Sequence, residues 1–231
     1  MQLDPWCVVV AASFVRAATT SEVSRSSASR PASSLVPGLA TYDAAVAAHT
    51  GFEDLRLDTD PVTLREIVAD RQPLTAVLDA VQEALDESAD EDRAERSRLY
   101  GQQCVLLRLL GDLDGALVAG RLSLRYSGDD SALVTVAGVR LAHVHQWRGE
   151  YQVADGIYTQ ALEGAPDGYR SFACLHAGKS RYEQGDADAA IRHLENAVRL
   201  RTSGPADLLA AAEQALDTAR RLKADMDLSG L

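Results

Sequence analysis

Three turns of similar sequence, each built around a glycine, restrict the fold of this chain more than any other feature. The glycines are Gly111, Gly149 and Gly185, so the turns recur 38 and 36 residues apart, as in helical repeat proteins. Each glycine is placed to end one amphipathic helix, and the acidic residue after it is placed to cap the next. An alanine follows each glycine by five residues, where a small side chain lets two antiparallel helices approach closely. The pattern predicts stacked helix hairpins.

The sequence on either side of these turns is helical as well. Apolar residues recur at helical spacing along residues 74–85 and form one stripe. Residues 60–69 open with Asp-Pro, which predicts an N-cap and a short helix. Residues 88–110 open with a Ser-x-x-Glu capping box, and residues 205–223 predict a final helix that covers the last repeat. No segment alternates as a strand would, so the sequence predicts an all-α fold.

Four regions follow from these patterns. Residues 1–40 are rich in Ser, Ala and Arg without an apolar period, which predicts a disordered N-terminal segment. An apolar stretch near the start follows an acidic rather than a basic segment, so it does not predict a signal peptide. Residues 41–89 form a helical N-terminal region with a possible degenerate repeat. Residues 90–202 hold the repeats, and residues 203–225 the capping helix.

Charge and composition exclude several classes of function. Lys and Arg number 23 against 34 Asp and Glu, and the net charge of −11 argues against a nucleic-acid partner. No run approaches the length of about 18 apolar residues that a membrane-spanning helix needs. Apolar residues make up 46% of the chain but aromatics only 5%, so the core must be built from Ala, Leu and Val. With three widely separated cysteines, these features predict a reduced, soluble protein of the cytoplasm.

No motif in the sequence predicts catalysis, a cofactor or a metal. Gly178-Lys179-Ser180 imitates a phosphate-binding loop, but it lacks the earlier glycine and falls within a predicted helix. His143 and His145 are two residues apart on a predicted helix, where their side chains point away from each other. Cys104 and Cys174 fall at positions that pack inside a hairpin, which favours inert buried thiols. The prediction is therefore no enzyme, no catalytic residue and no metal site.

The repeated positions resemble those of the tetratricopeptide repeat (TPR). The middle unit matches best, and it carries Leu141-Ala142, Gly149, Tyr151, Ala154, Tyr158, Ala161-Leu162 and Pro166. The last unit keeps Gly178, Gly185 and Ala190 but has Thr202 where the terminal proline belongs, and the first unit is degenerate. The resemblance covers roughly residues 90–200. It implies a short superhelical solenoid that serves as a protein-binding scaffold.

In TPR proteins, faces of each hairpin's first helix line a concave groove that holds a peptide. Carried over to this chain, the resemblance implies a groove lined by Arg98, Arg108, Arg140, His143, Gln146, Trp147, Phe172, His176, Lys179 and Tyr182. Cations beside aromatic rings suit a ligand that has carboxylates and an apolar anchor. The expected partner is a protein or peptide segment, acidic or acidic and aromatic.

Three other functions stay open at this stage. The chain can serve as a regulatory domain that acts on a transcription factor or another neighbouring protein. It can be an enzyme whose site has no recognisable motif. It can also self-assemble through the degenerate ends of the solenoid, although the expected state is a monomer or a weak self-associate.

Overall fold

The structure is a computed structural model that describes residues 50–52, 55 and 57–229. The predicted disordered segment 1–40 lies outside the described residues, and so does the first part of region 41–89. The repeats and the C-terminal helix lie within them.

Eight helices make up most of the described chain, which confirms the predicted all-α fold. In chain order they are α1 (Gln72–Glu87), α2 (Arg93–Leu110), α3 (Leu113–Tyr126), α4 (Ser131–Trp147), α5 (Tyr151–Gly164), α6 (Asp167–Glu183), α7 (Ala187–Arg201) and α8 (Ala206–Ser229). Ahead of them, β1 (Asp58–Thr59) and β2 (Glu66–Ile67) pair as a short antiparallel hairpin. Within the described ranges, no helix is both long enough and apolar enough to cross a membrane.

Consecutive helices pack as hairpins: α2 with α3, α4 with α5, and α6 with α7. Helix α4 also contacts both α2 and α6. The first helices of the three hairpins therefore form one inner layer. Helix α1 packs on α2 at one end, and α8 packs mainly on α7 at the other. The face shared by α2, α4 and α6, called the inner face below, is where the sequence placed the candidate groove.

The predicted turns form as expected, with one exception among the caps. The turn glycines adopt left-handed backbone, with φ of +87° at Gly111, +75° at Gly149 and +80° at Gly185. The Asp112 and Asp186 carboxylates accept the backbone N–H three residues ahead, at 2.9 and 3.0 Å. Glu150 makes no such cap, because its carboxylate binds His145 and Arg148 instead. Two of the three acidic residues therefore cap as predicted.

Alanines let the paired helices approach closely. Ala116, Ala154 and Ala190 are all fully buried, each at 0% exposure. In the last hairpin, a Cβ added to Gly178 would lie 2.7 Å from the side chain of Leu194, so only glycine fits there. Small residues thus pack at the hairpin positions that the sequence pattern singled out.

Two predictions for the N-terminal region were wrong. Residues 60–69 do not form a helix. The Asp60 carboxylate accepts the N–H groups of Val62 and Thr63 and caps a turn, after which the chain enters β2. Ser88 does not cap α2 either, because Asp92 does so by accepting the N–H of Glu95 at 3.1 Å. The Asp60 cap thus forms without a helix after it, and the Ser88 hydroxyl instead donates to the carbonyl of Leu85.

Candidate functional site

Five of the candidate groove residues form a continuous cluster across the inner face. The Arg108 guanidinium, near the end of α2, lies 4.5 Å from the centre of the Trp147 ring on α4. The His143 ring meets the edge of Trp147 at 6.2 Å and lies 5.2 Å from the ring of His176 on α6. Phe172 packs against His176 at 4.7 Å. The first helices of the three hairpins therefore bring together residues up to 68 positions apart, from Arg108 to His176.

A segment of the chain itself lies over this cluster. We call residues 57–68 the strap; it contains β1, the Asp60 turn and β2. The Glu66 carboxylate accepts two hydrogen bonds from Arg108, at 3.1 and 3.5 Å, and lies 3.8 Å from Nε2 of His143. Phe52 and Leu55, which precede the strap, are buried with apolar residues of α1 and α2. The strap therefore places one carboxylate, close to apolar residues, on the inner face.

Further contacts hold the rest of the strap in place. The Arg65 guanidinium pairs with Glu183 and lies 5.4 Å from the centre of the Trp147 ring. Trp147 therefore has cations from both α2 and the strap near its ring. The Tyr182 hydroxyl donates to the backbone carbonyl of Val62 at 2.5 Å. These contacts tie the strap to α4 and α6 as well as to α2.

Leu64 anchors the strap turn at the cost of backbone strain. Its side chain is buried in a cluster formed by residues of α6, α7 and α8, including Leu194 and Leu216. Its φ is +58°, in the left-handed region that a leucine rarely adopts. That conformation costs about 1–2 kcal/mol, and burial of the side chain offsets the cost.

Most of the groove that the sequence predicted to be open is buried. Seven of the ten candidates are buried, namely Arg108, Arg140, His143, Gln146, Phe172, His176 and Lys179. Trp147, Tyr182 and Arg98 keep partial exposure. The structure thus brings most of the candidates together, but under the chain's own residues.

Two candidates have other surroundings. The amide of Gln146 donates to Glu183 at 2.7 Å and accepts from the Tyr158 hydroxyl at 3.0 Å, so it joins α4, α5 and α6. Arg98 lines a separate pocket near the start of α2, together with Ser97 and Tyr169. Gln146 therefore holds three helices together, and Arg98 does not belong to the cluster around Trp147.

Buried charges set the electrostatics of the inner face. Burial alone would raise the pKa of Glu66, but Arg108 and Lys179 bring that pKa well below its usual range. Burial, reinforced by Arg108, lowers the pKa of His143 to about 3. Burial also lowers the pKa of His176 well below its usual value. At neutral pH the site therefore holds an ionised carboxylate beside two neutral imidazoles.

The residues that imitate catalytic motifs are buried and pack against other helices. Gly178-Lys179-Ser180 lies inside α6, and all three residues pack internally, so they form no loop that could wrap a phosphate. Cys104 is buried, and burial raises the pKa of its thiol to about 11. Among the residues that the structure describes, no group of three or more His, Cys, Asp or Glu is positioned to hold a metal ion.

Sequence reasoning missed Glu66, Arg65 and Leu64, the strap residues that complete the site. An Asp-Pro pair is equally typical of a helix start and of a tight turn. Thr59, Ile67 and the valine after it are β-branched, which favours short strands on either side of such a turn. That signal spans two residues per strand, too few to outweigh a helix-capping pattern.

No protein-family model matches the sequence, and no curated protein matches it. Among solved structures, the chain is similar to the crystal structure of BtubC (BKLC) from P. vanneervenii. The two are 20% identical in sequence, the match covers 68% of this chain and 80% of that one, and the TM-score is 0.48.

Proposed function

We propose that this chain is a protein-interaction module of TPR type whose inner face takes an acid-bearing segment of another protein. The observation that supports this function is the strap, an acid-bearing segment that already lies on the inner face. Glu66 pairs there with Arg108, and both side chains are at least nine-tenths buried. The module acts without a cofactor, as a scaffold in the cytoplasm.

The buried ion pair explains why a partner must be acidic. A guanidinium that loses its anion while it stays buried destabilises a protein by about 3–5 kcal/mol. A partner that displaces the strap has to replace the Glu66 carboxylate beside Arg108, or leave that charge uncompensated. The stacked position of Trp147 adds an apolar surface beside the same cation. The inner face therefore selects a carboxylate next to apolar side chains.

The strap is built to be exchangeable. Strain at Leu64 opposes its closure, and its polar contacts to the helices are made by single side chains such as Glu66 and Tyr182. Residues 69–71, which join the strap to α1, are exposed, so the strap can leave without unfolding a helix. A partner segment then competes with a ligand that is covalently attached and present at high effective concentration.

Cleavage of the full-length protein between the strap and α1 tests this function. A protease site inserted at residues 69–71 lets the strap dissociate after cutting. We expect a fluorescent peptide of residues 50–68 to bind the cut protein saturably and not to bind the uncut protein. The same peptide with Glu66→Gln should bind at least tenfold more weakly, because a hydrogen bond to a charged group contributes about 1.5–3 kcal/mol.

A second peptide supplies the matched control. Asp58→Asn removes the same charge from an exposed strap position, so it should leave the affinity within about twofold. Gel filtration shows whether the cut strap has left the helices. Equal affinity for the Glu66→Gln and unchanged peptides, or no binding after the strap has left, would contradict the proposed function.

A further inference from the structure

The strap brings a cation as well as a carboxylate to the inner face. Arg65 directly precedes Glu66 in the chain, and its guanidinium pairs with the carboxylate of Glu183 on α6. Glu66 itself pairs with Arg108 on α2. Two adjacent strap residues of opposite charge therefore each meet the opposite charge on a different helix.

The helices hold the Glu183 carboxylate in place without help from the strap. One of its oxygens accepts the amide N–H of Gln146 at 2.7 Å, and the other accepts the hydroxyl of Tyr151 at 3.0 Å. Gln146 is fixed in turn, because its carbonyl oxygen accepts the Tyr158 hydroxyl at 3.0 Å. These residues belong to α4, α5 and α6, so the carboxylate keeps its orientation when the strap leaves. It is an acceptor that is already ordered for a cation.

The ring of Trp147 completes the surroundings of this cation. The Arg65 guanidinium lies 5.4 Å from the centre of the ring, whose face attracts positive charge. Trp147 is the last residue of α4 and Glu183 the last of α6, and helix C-termini carry partial negative charge. A planar guanidinium can pair with a carboxylate and lie over a ring at the same time, which favours arginine over lysine.

We propose that Glu183 and Trp147 form a cation subsite of the inner face, and that the partner segment carries an arginine directly before its acidic residue. This inference rests on the proposed function and changes the expected partner from a generally acidic segment to one with an Arg-Glu or Arg-Asp pair. The order of the pair is fixed, because the acid must reach Arg108 on α2 while the arginine reaches α6. An apolar residue before the pair takes the place of Leu64, which is buried in the strap turn.

Strap peptides of residues 50–68 test the subsite on the full-length protein that has been cut between the strap and α1. We expect the Arg65→Gln peptide to bind about fivefold more weakly than the unchanged peptide, because it loses both the ion pair and the ring contact. A peptide with Arg65→Glu and Glu66→Arg keeps the composition and net charge but reverses their order. It should bind at least tenfold more weakly, because like charges then face each other at both positions.

A variant of the protein assigns the effect to Glu183. With Glu183→Gln, the unchanged and Arg65→Gln peptides should bind with affinities within about twofold of each other, while the loss caused by Glu66→Gln in the peptide should remain. Glu163→Gln is the matched control, since it removes the same charge from an exposed position of α5 and should leave the Arg65 effect unchanged. Circular dichroism shows whether the Glu183→Gln protein is folded, and the comparison of peptides on the unchanged protein does not depend on it.

The outcomes separate this proposal from the function on which it rests. Equal affinity of the unchanged and Arg65→Gln peptides, together with weaker binding of the Glu66→Gln peptide, overturns the cation subsite and leaves the proposed function intact. An Arg65 effect that persists in folded Glu183→Gln protein overturns the subsite as well. Absence of binding by the unchanged peptide contradicts both.

Discussion

At the scale of single residues, backbone conformation decides whether an added side chain raises or lowers the free energy of unfolding. Gly149 turns the chain with φ of +75°, and nothing lies within 4 Å of the Cβ that a larger residue would add. The conformation, rather than crowding, therefore requires glycine at this turn. Gly156 lies in the middle of α5 with equally open surroundings and ordinary helical backbone, so nothing requires glycine there.

The same substitution should therefore have opposite effects at these two positions. Gly149→Ala should lower the free energy of unfolding by about 1–2 kcal/mol, because alanine is strained at positive φ. Gly156→Ala should raise it by about 0.5–1 kcal/mol, because alanine restricts the unfolded chain and favours helix. Urea unfolding monitored by circular dichroism measures both. A destabilised Gly156→Ala would show that α5 is not regular helix at this point.

Two buried histidines make the stability depend on pH. Burial holds the pKa of His143 at about 3, against an ordinary value near 6.5, and lowers that of His176 as well. Below pH 6.5 the unfolded chain takes up protons that the folded chain refuses, so acid favours unfolding. The charged groups that face these rings are Glu66, Arg108 and Lys179.

We expect the free energy of unfolding to fall by up to about 2 kcal/mol for each of these histidines between pH 7 and pH 5. Glu66 adds to the loss below about pH 4.5, because its own pKa is lowered in the folded state. Urea titrations at the two pH values measure the difference, and His143→Gln should reduce it. Equal stability at pH 7 and pH 5 would contradict burial of neutral imidazoles.

At the scale of helices, each hairpin joins its two helices by different means. In the first hairpin, the Ser97 hydroxyl donates to the carbonyl of Ser123 at 2.9 Å, and the Ser123 hydroxyl donates back to the carbonyl of Ser97 at 2.7 Å. In the second hairpin, Ala142 and Ala154 pack in one apolar cluster. Both arrangements depend on small side chains, which let the backbones come close.

Ala154→Leu tests the close packing of the second hairpin. The alanine is fully buried, and the added methylene and methyl groups should cost about 1–3 kcal/mol through displaced helices. Val153→Leu is the matched control, because Val153 precedes it on α5 and is 48% exposed. The melting temperature of Ala154→Leu should fall by several degrees, and that of Val153→Leu should not change. An unchanged Ala154→Leu would contradict the alignment of the repeats.

At the scale of the whole molecule, α8 covers the last hairpin. Its buried residues Leu208, Ala212 and Leu216 belong to apolar clusters that include residues of α6 and α7. A stack of hairpins leaves an apolar face at its end unless another element covers it. Leu64 of the strap lies in one of these clusters, so α8 also supports the strap turn.

Removal of α8 should therefore destabilise the whole molecule. Truncation after Gly204 exposes the apolar face of α7, and we expect loss of cooperative unfolding or association at micromolar concentration. Truncation after Ala224 removes residues 225–229, most of which are exposed, so it should leave the melting temperature unchanged. Circular dichroism and light scattering at two concentrations measure both variants. A monomeric, cooperatively folded product of the longer truncation would contradict a capping role for α8.

The parts of this fold that the sequence predicts depend on local interactions. A glycine at positive φ, an aspartate that caps a helix and an alanine five residues after a turn act within a few residues of one another, so their spacing predicts the hairpins. The same spacing places most of the candidate residues on the inner face, because helical periodicity fixes which side chains share a face. Whether that face binds a partner stays a prediction.

Only the tertiary structure decided that the chain covers its own inner face. The contacts that place the strap join residues far apart in sequence, 42 positions for Glu66 and Arg108 and 118 for Arg65 and Glu183. The Asp-Pro start of residues 60–69 fits a helix N-terminus, although it fits a tight turn equally well. The structure instead buries Leu64 and places the Glu66 carboxylate beside Arg108, contacts that a helix over these residues would not make. Such pairings appear only once the helices have brought their partners together.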